Sequence, residues 1–346
     1  PQTEAIVNKP VPPPQPVAKE WTDADRLAQR CKDRLAAAKQ ARDAIVAFVA
    51  KGGQGVLDKV LDQHNLMVTA LSNAEAESSL WRSVHPDASM RKAATQCERD
   101  AAALSTQLSL DRKLYEAFAS TKYSGKDRQV HRLLRKTLED FKRSGVDKDE
   151  ATRAKIKQLN AQIVQVGQAF SKAIISDRHV VKLDRQALKG LPSDWIAAHK
   201  PGPDGKIEVS TDYPDYIPFM TYSESDAARK KLYIVYRQRA SPANGRNLQE
   251  LIELRKELAT ALGYDNWAHH ITENKMIGSD KKAAAFIERV RKISDKRMNK
   301  ERKLLLKELR RADRKAKHVQ DWQKSWLLNR LKKRNFGFDA QKMRPF

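Results

Sequence analysis

Eight histidines, two cysteines and 43 acidic residues supply most of the reactive side chains in this 346-residue chain. A hydrolytic metal centre on a helix needs two imidazoles four residues apart on one face, with a Glu between them to activate water. None of His64, His85, His131, His179, His199, His269, His270 or His318 begins a His-Glu-x-x-His run. The nearest pattern is His269-His270 with Glu273. Adjacent helical residues point about 100° apart, so these two rings cannot clamp one ion from the same face. His270 and Glu273 share a face, as in half of a carboxylate-bridged site, but no second half accompanies them. His85 stands alone before Pro86 and reads as part of a turn. The sequence therefore assigns no catalytic, metal-ligating or cofactor-binding residue.

Cys31 and Cys97 are too few for a disulfide framework or a zinc knuckle. Both fall on apolar helical faces and read as buried thiols. A bridge stays geometrically open, because each lies near the start of a helix, the first and the third of a bundle. It requires Cα atoms within about 7 Å.

Charge is the other chemical feature. The net charge is +24, and the stretch from Lys281 to Phe346 holds 23 Lys and Arg against 7 Asp and Glu. Such a run reads first as a solvated face or a surface for an acidic partner. Nucleic acid or an anionic membrane is the alternative, but aromatic-basic interleaving, Gly-rich loops and zinc fingers are missing from the sequence. No run of 18 apolar residues spans a membrane.

The elements that position these residues are mostly helices. Only 13 Gly and 14 Pro occur, several of the Pro in the first twenty residues. Residues 1–20 read as a Pro-rich disordered tether. Its composition and the missing initial Met suit a processed bacterial envelope protein, with the cytoplasm as the alternative.

Residues 21–125 read as a helical bundle. Thr22 is the expected N-cap of the first helix, Gly52-Gly53 its stop, Val56 the start of the second, and Asp87 the cap of the third. That third helix is expected to carry Met90 through Tyr115 and Phe118 on one stripe. Residues 126–346 read as a second helical region, with helices at Gln129–Arg143 and Lys148–Ile175. A small antiparallel β insert is expected over about 177–222. Its strands are His179–Leu183, Lys206–Ser210 and Ile217–Tyr222, with Pro218 at an edge. Helices resume at Asp226, with Gly263 ending one of them. The expected fold class is mainly α, with long antiparallel helices and that small inserted sheet.

Several short runs then carry a resemblance. They are Val84-His85-Pro86-Asp87 with Arg91, Gly190-Leu191-Pro192, Thr211-Asp212-Tyr213-Pro214-Asp215-Tyr216, Arg229-Lys230-Lys231-Leu232-Tyr233 and Leu262-Gly263-Tyr264. Lys275-Met276, Asp321-Trp322 and Met343-Arg344-Pro345-Phe346 complete them. In this order, from about Leu66 to Phe346, the chain resembles the N-terminal half of the thimet oligopeptidase, neurolysin and oligopeptidase A family of zinc metallopeptidases.

The resemblance implies one wall of a channel that admits short peptides. It also implies a zinc site, with its His-Glu-x-x-His helix, supplied by a C-terminal catalytic half beyond Phe346. That half is the implied partner and short peptides the implied substrates. This chain alone is expected to be inactive. Residues Asp177–Tyr236 are expected to pack mainly on the absent half. A basic helical module for nucleic acid or an acidic protein is the alternative reading.

Overall fold

A computed structural model describes residues 23–53, 57–338 and 341. The expected tether, the Thr22 cap, Val56 and the closing Met343–Phe346 lie outside the described residues. The chain divides into two compact units, Pro1–Gln165 and Val166–Phe346. Among the described residues it forms thirteen α-helices and one two-stranded sheet, which bears out the mainly α class.

In the first unit, α1 (Ala24–Ala50) starts where the Asp23 carboxylate accepts from the Asp25 and Arg26 amides. This leaves fewer of the first-turn donors unpaired. Asp23 is thus the cap, one residue later than expected. Helices α2 (Leu57–Val84) and α3 (Ala88–Ser109) pack with α1 as a three-helix bundle. Asp87 caps α3 as expected, accepting from Ser89 N. Leu27, Ile45, Val60, Met90, Ala101 and Leu104 fill the core at helical spacing.

Cys31 and Cys97 are joined as a disulfide, with Cα atoms 5.9 Å apart. The reading as two thiols is corrected: the early turns of α1 and α3 lie side by side and bring the sulfurs together. Nearby, Glu77 of α2 pairs with Arg30 and Arg34 of α1. The carbonyl and ring of His85 serve the α2–α3 turn: Nδ1 accepts from Asp87 N, and Arg91 donates to the His85 carbonyl.

Tyr115 and Phe118 do not continue α3. The helix ends at Ser109, and α4 (Arg112–Ser120) restarts it. The cause is Asp111, which accepts from Leu114 N as an N-cap and pairs with Arg42 of α1 at 2.6 Å. An acidic residue tethered to a neighbouring helix favours a new start over continuation. Helix α5 (Arg128–Ser144) ends at Gly145, whose φ of 95° suits a residue without Cβ. Helix α6 (Glu150–Ser176) buries Ile156, Leu159 and Val166.

In the second unit, β1 (Val180–Leu183) pairs antiparallel with β2 (Ile207–Ser210), in the register Val180↔Ser210 to Leu183↔Ile207. A 3-10 turn at Arg185–Leu188 and α7 (Ser193–Ala198) lie between the strands. The expected third strand at Ile217–Tyr222 is instead part of α8 (Tyr213–Tyr222). Pro214 fits the first helical turn, where a missing N–H costs little. Pro218 leaves the Pro214 carbonyl without its i+4 donor, and Trp195 Nε1 donates to that carbonyl at 3.3 Å. A side chain from α7 thus replaces the lost backbone bond.

Helices α9 (Asp226–Arg237), α10 (Ala243–Leu262), α11 (Trp267–Thr272) and α12 (Asp280–Ala312) follow. A 3-10 turn at Asp321–Gln323 leads into α13 (Lys324–Phe336). Gly263, at φ 92°, ends α10 as expected. The segment expected to rely on an absent half has a core of its own: Val181, Leu188, Trp195, Val209, Phe219 and Leu232 pack together. No described helix is long and apolar enough to cross a membrane.

Candidate functional site

The histidine pattern does not become a metal centre. Asn266 caps α11 by accepting from His269 N at 2.8 Å. The His269 ring lies edge-on to Tyr264 and 3.7 Å from Asp265. His270 packs against Tyr264 and Trp267. The two rings are engaged with different neighbours, as their helical separation requires. Among the described residues no group of three or more His, Cys, Asp and Glu is placed to hold a metal ion. The donor set therefore does not fit zinc.

A second constellation brings Ser210, His199 and Asp215 together. Ser210 Oγ donates to Asp215 at 2.5 Å, and His199 Nε2 stands 3.0 Å from the other oxygen of that carboxylate. The remaining ring nitrogen faces the Trp195 carbonyl at 2.8 Å, and the ring stacks on the Trp195 indole. A nucleophilic relay needs the hydroxyl on the imidazole. Here the carboxylate is in the middle and both ring nitrogens face oxygens, so the group braces α7, β2 and α8.

Glycine supports the same region. Gly190 adopts φ +93°, and a Cβ there would run into the Tyr222 carbonyl. Only glycine lets the turn before α7 lie against the end of α8.

The most distinctive surface lies on α8, α9 and the 3-10 turn before α13. Tyr216 stacks on Tyr236 with centroids 3.7 Å apart, and the Arg239 guanidinium lies 4.0 Å from the Tyr236 centroid. Tyr213, 63% exposed, tilts against Tyr236. One turn earlier on α9, Tyr233 meets Trp322 at 6.3 Å. Arg237 lies over Tyr233 and Lys230 over Trp322, each 5.2 Å from the ring centroid. Burial pushes the Tyr216 phenol up to about 12, so this hydroxyl stays neutral at physiological pH.

Beneath that surface, Arg229 is 1% exposed. It donates to the Ser223 carbonyl and to Asp226, and its guanidinium lies 4.4 Å from the Trp326 ring centroid. Asp226 also accepts from Trp322 Nε1 and Gln323 Nε2. Arg229 and Asp226 thereby fix α9 against the start of α13. Burial holds Arg229 below the usual guanidinium range, but a charged guanidinium remains the working form.

These contacts assemble sequence-distant residues, so charge and periodicity could not reveal the surface. The signal available was the grouping of Tyr213, Tyr216, Tyr233 and Trp322 within the runs that carried the resemblance. An open cleft of about 720 Å³ lies beside the opposite end of α9, with Lys182, Lys189, Glu224 and Lys231 on its walls. Its lysines are engaged by Asp204, Glu224 and the Lys182 carbonyl.

Residues 219–346, which contain the end of α8 and all of α9 to α13, match the model of peptidase family M3. Over this segment the chain is similar to the M3 peptidases. It is 27% identical over 230 residues to the thimet-like oligopeptidase of Dictyostelium discoideum, covering 64% of this chain and 34% of that protein. It is 27% identical over 205 residues to saccharolysin of Saccharomyces cerevisiae, covering 56% and 29%. It is 24% identical over 252 residues to oligopeptidase A of Escherichia coli, covering 67% and 37%.

The chain spans about a third of the length of each of these proteins. Within the M3-matching segment, the Asp321-Trp322 pair has a defined role. Trp322 Nε1 donates to Asp226, and Asp321 stands 3.4 Å from the Tyr233 hydroxyl.

Proposed function

We propose that this chain is the N-terminal, substrate-channel portion of a zinc-dependent oligopeptidase. Short peptides are its substrates, and a catalytic half completes it, either in the same gene product or as a separate chain. The M3 match over residues 219–346 carries this reading. It is joined to a sequence in which none of the eight histidines opens a His-Glu-x-x-His run.

The division of labour follows from those two facts. Zinc, when bound in the completing half, would polarise the peptide carbonyl and activate water. The helices of this chain would limit access to narrow, unfolded peptides and hold them extended. The exposed row of Phe286, Ile287, Val290 and Ile293 on α12 offers apolar area for that completing half.

The test is hydrolysis of short fluorogenic peptides with added zinc. The chain alone should show no chelator-sensitive turnover. Turnover should appear when the completing half is supplied and vanish with a chelator. Chelator-sensitive cleavage by the pure chain would overturn the division proposed here.

Location follows from different observations. The Cys31–Cys97 bridge supports an oxidising compartment, such as a bacterial envelope. The names of similar proteins include a mitochondrial intermediate peptidase and a probable cytosolic oligopeptidase A. Fractionation of cells, with the bridge assayed by thiol alkylation, separates the two.

A further inference from the structure

The aromatic face of α8 and α9 carries three cations that stand on rings, with Asp321 and Asp177 acting on Arg237 and Arg239 only at longer range. Lys230, Arg237 and Arg239 each lie over an aromatic ring, at 5.2, 5.2 and 4.0 Å from its centroid. None of the three forms an ion pair among the described residues. A cation on a ring is oriented and partly stripped of water. Its remaining donors stay available for a carboxylate, the strongest partner for such groups.

We propose that this face binds extended peptides carrying carboxylate side chains beside aromatic ones. The proposal rests on the peptide-handling reading above and adds a substrate preference to it. Lys230 and Arg237 are seven residues apart on α9, two helical turns, or about 10 Å along the axis. A peptide in the extended polyproline II form rises about 3.1 Å per residue with three residues per turn, so acidic residues three apart share one face and span nearly the same distance. Tyr213, Tyr233 and Trp322 supply ring surface beside and between the cations. Tyr, Trp and Arg are the side chains from which protein-recognition surfaces draw most of their binding energy.

The same chemistry argues against a nucleic-acid strand. Asp212, Asp226 and Asp321 lie at the edges of this face, engaged by Arg178, Arg229 and Lys324. A polyphosphate backbone would meet these carboxylates along with the cations. A peptide bearing isolated acidic residues can avoid them.

The experiment uses the full chain and a fluorescein-labelled Glu-Phe-Ala-Glu-Phe-Ala peptide, followed by fluorescence anisotropy. The Lys230→Gln/Arg237→Gln double variant changes two exposed side chains and should weaken binding at least tenfold. Tyr213→Ala should weaken it about fivefold. Circular dichroism and melting temperature confirm that both variants remain folded.

A matching peptide with Lys in place of Glu should bind at least tenfold more weakly. Unchanged affinity in the variants overturns the proposal. So does equal binding of the Lys peptide, displacement by an equally long oligouridylate, or no binding by the intact chain. These failures leave the oligopeptidase reading standing, because that reading is judged separately by chelator-sensitive cleavage in the completed enzyme.

Discussion

His199 Nε2 stands 3.0 Å from one oxygen of Asp215, while Ser210 Oγ donates to the other at 2.5 Å. One carboxylate thus joins the end of α7, the end of β2 and the first turns of α8. Burial alone would raise the Asp215 pKa. Hydrogen bonds from Ser210 Oγ, Ser210 N and His199 outweigh it and hold the carboxyl below its usual range. The stability this adds is fully present above about pH 4 and is lost as pH falls through the lower folded value. Asp215→Ala should cost about 2 kcal/mol at pH 7, since the Ser210 amide and His199 Nε2 lose their shared acceptor. Urea unfolding at pH 7 and at pH 2.5 checks this; an equal cost at both would exclude the ionised carboxylate as the cause.

The Cys31–Cys97 bridge closes a loop across a sequence separation of 66 residues. On the chain-entropy estimate, a closed loop of that length stabilises by about 4 kcal/mol. Reducing agent, or Cys31→Ser with Cys97→Ser, should lower the melting temperature of the first unit. Calorimetry with and without reductant is the measurement. Identical melting in both would show that packing around Ala74 and Ala101 suffices.

Arg229→Ala should be among the more damaging changes in the second unit, at about 3 kcal/mol. It removes donors from the Ser223 carbonyl and Asp226, and it uncovers the Trp326 ring. Arg229→Met restores volume without the donors and should recover part of the loss. Chemical denaturation of both variants separates packing from hydrogen bonding; full recovery by Met would leave the donors without a role.

Glu308 is 2% exposed and faces Arg311, Arg330 and Arg334. Replacing it by Gln leaves those guanidiniums without their shared carboxylate. The contact between α12 and α13 should weaken by about 1 kcal/mol, because the guanidiniums left behind are partly exposed to solvent. Hydrogen exchange of residues 324–336 should accelerate. Protection equal to that of the parent would show that Leu309, Trp326 and Leu327 hold the pair unaided.

Much of the helical frame was legible in the sequence because its punctuation is local. Asp87 starts α3, while Gly145 and Gly263 stop α5 and α10, each through chemistry confined to one turn. The misread places are those where a distant side chain decides. Asp111 breaks α3 from α4 while held by Arg42, 69 positions away. Pro218, expected at the edge of a strand, lies instead within α8, where Trp195 takes the carbonyl freed by its missing N–H. The aromatic face was hidden for the same reason: Tyr213, Tyr233 and Trp322 meet only after folding.

Solvent reaches nearly every residue of α12 from Lys281 to Lys303. Such a rod has little tertiary packing to oppose fraying. It also presents ten Lys and Arg within that span. Trypsin should therefore nick the purified chain there first, leaving the disulfide-linked bundle intact. Production of this polypeptide by itself then calls for protease-deficient cells and rapid handling.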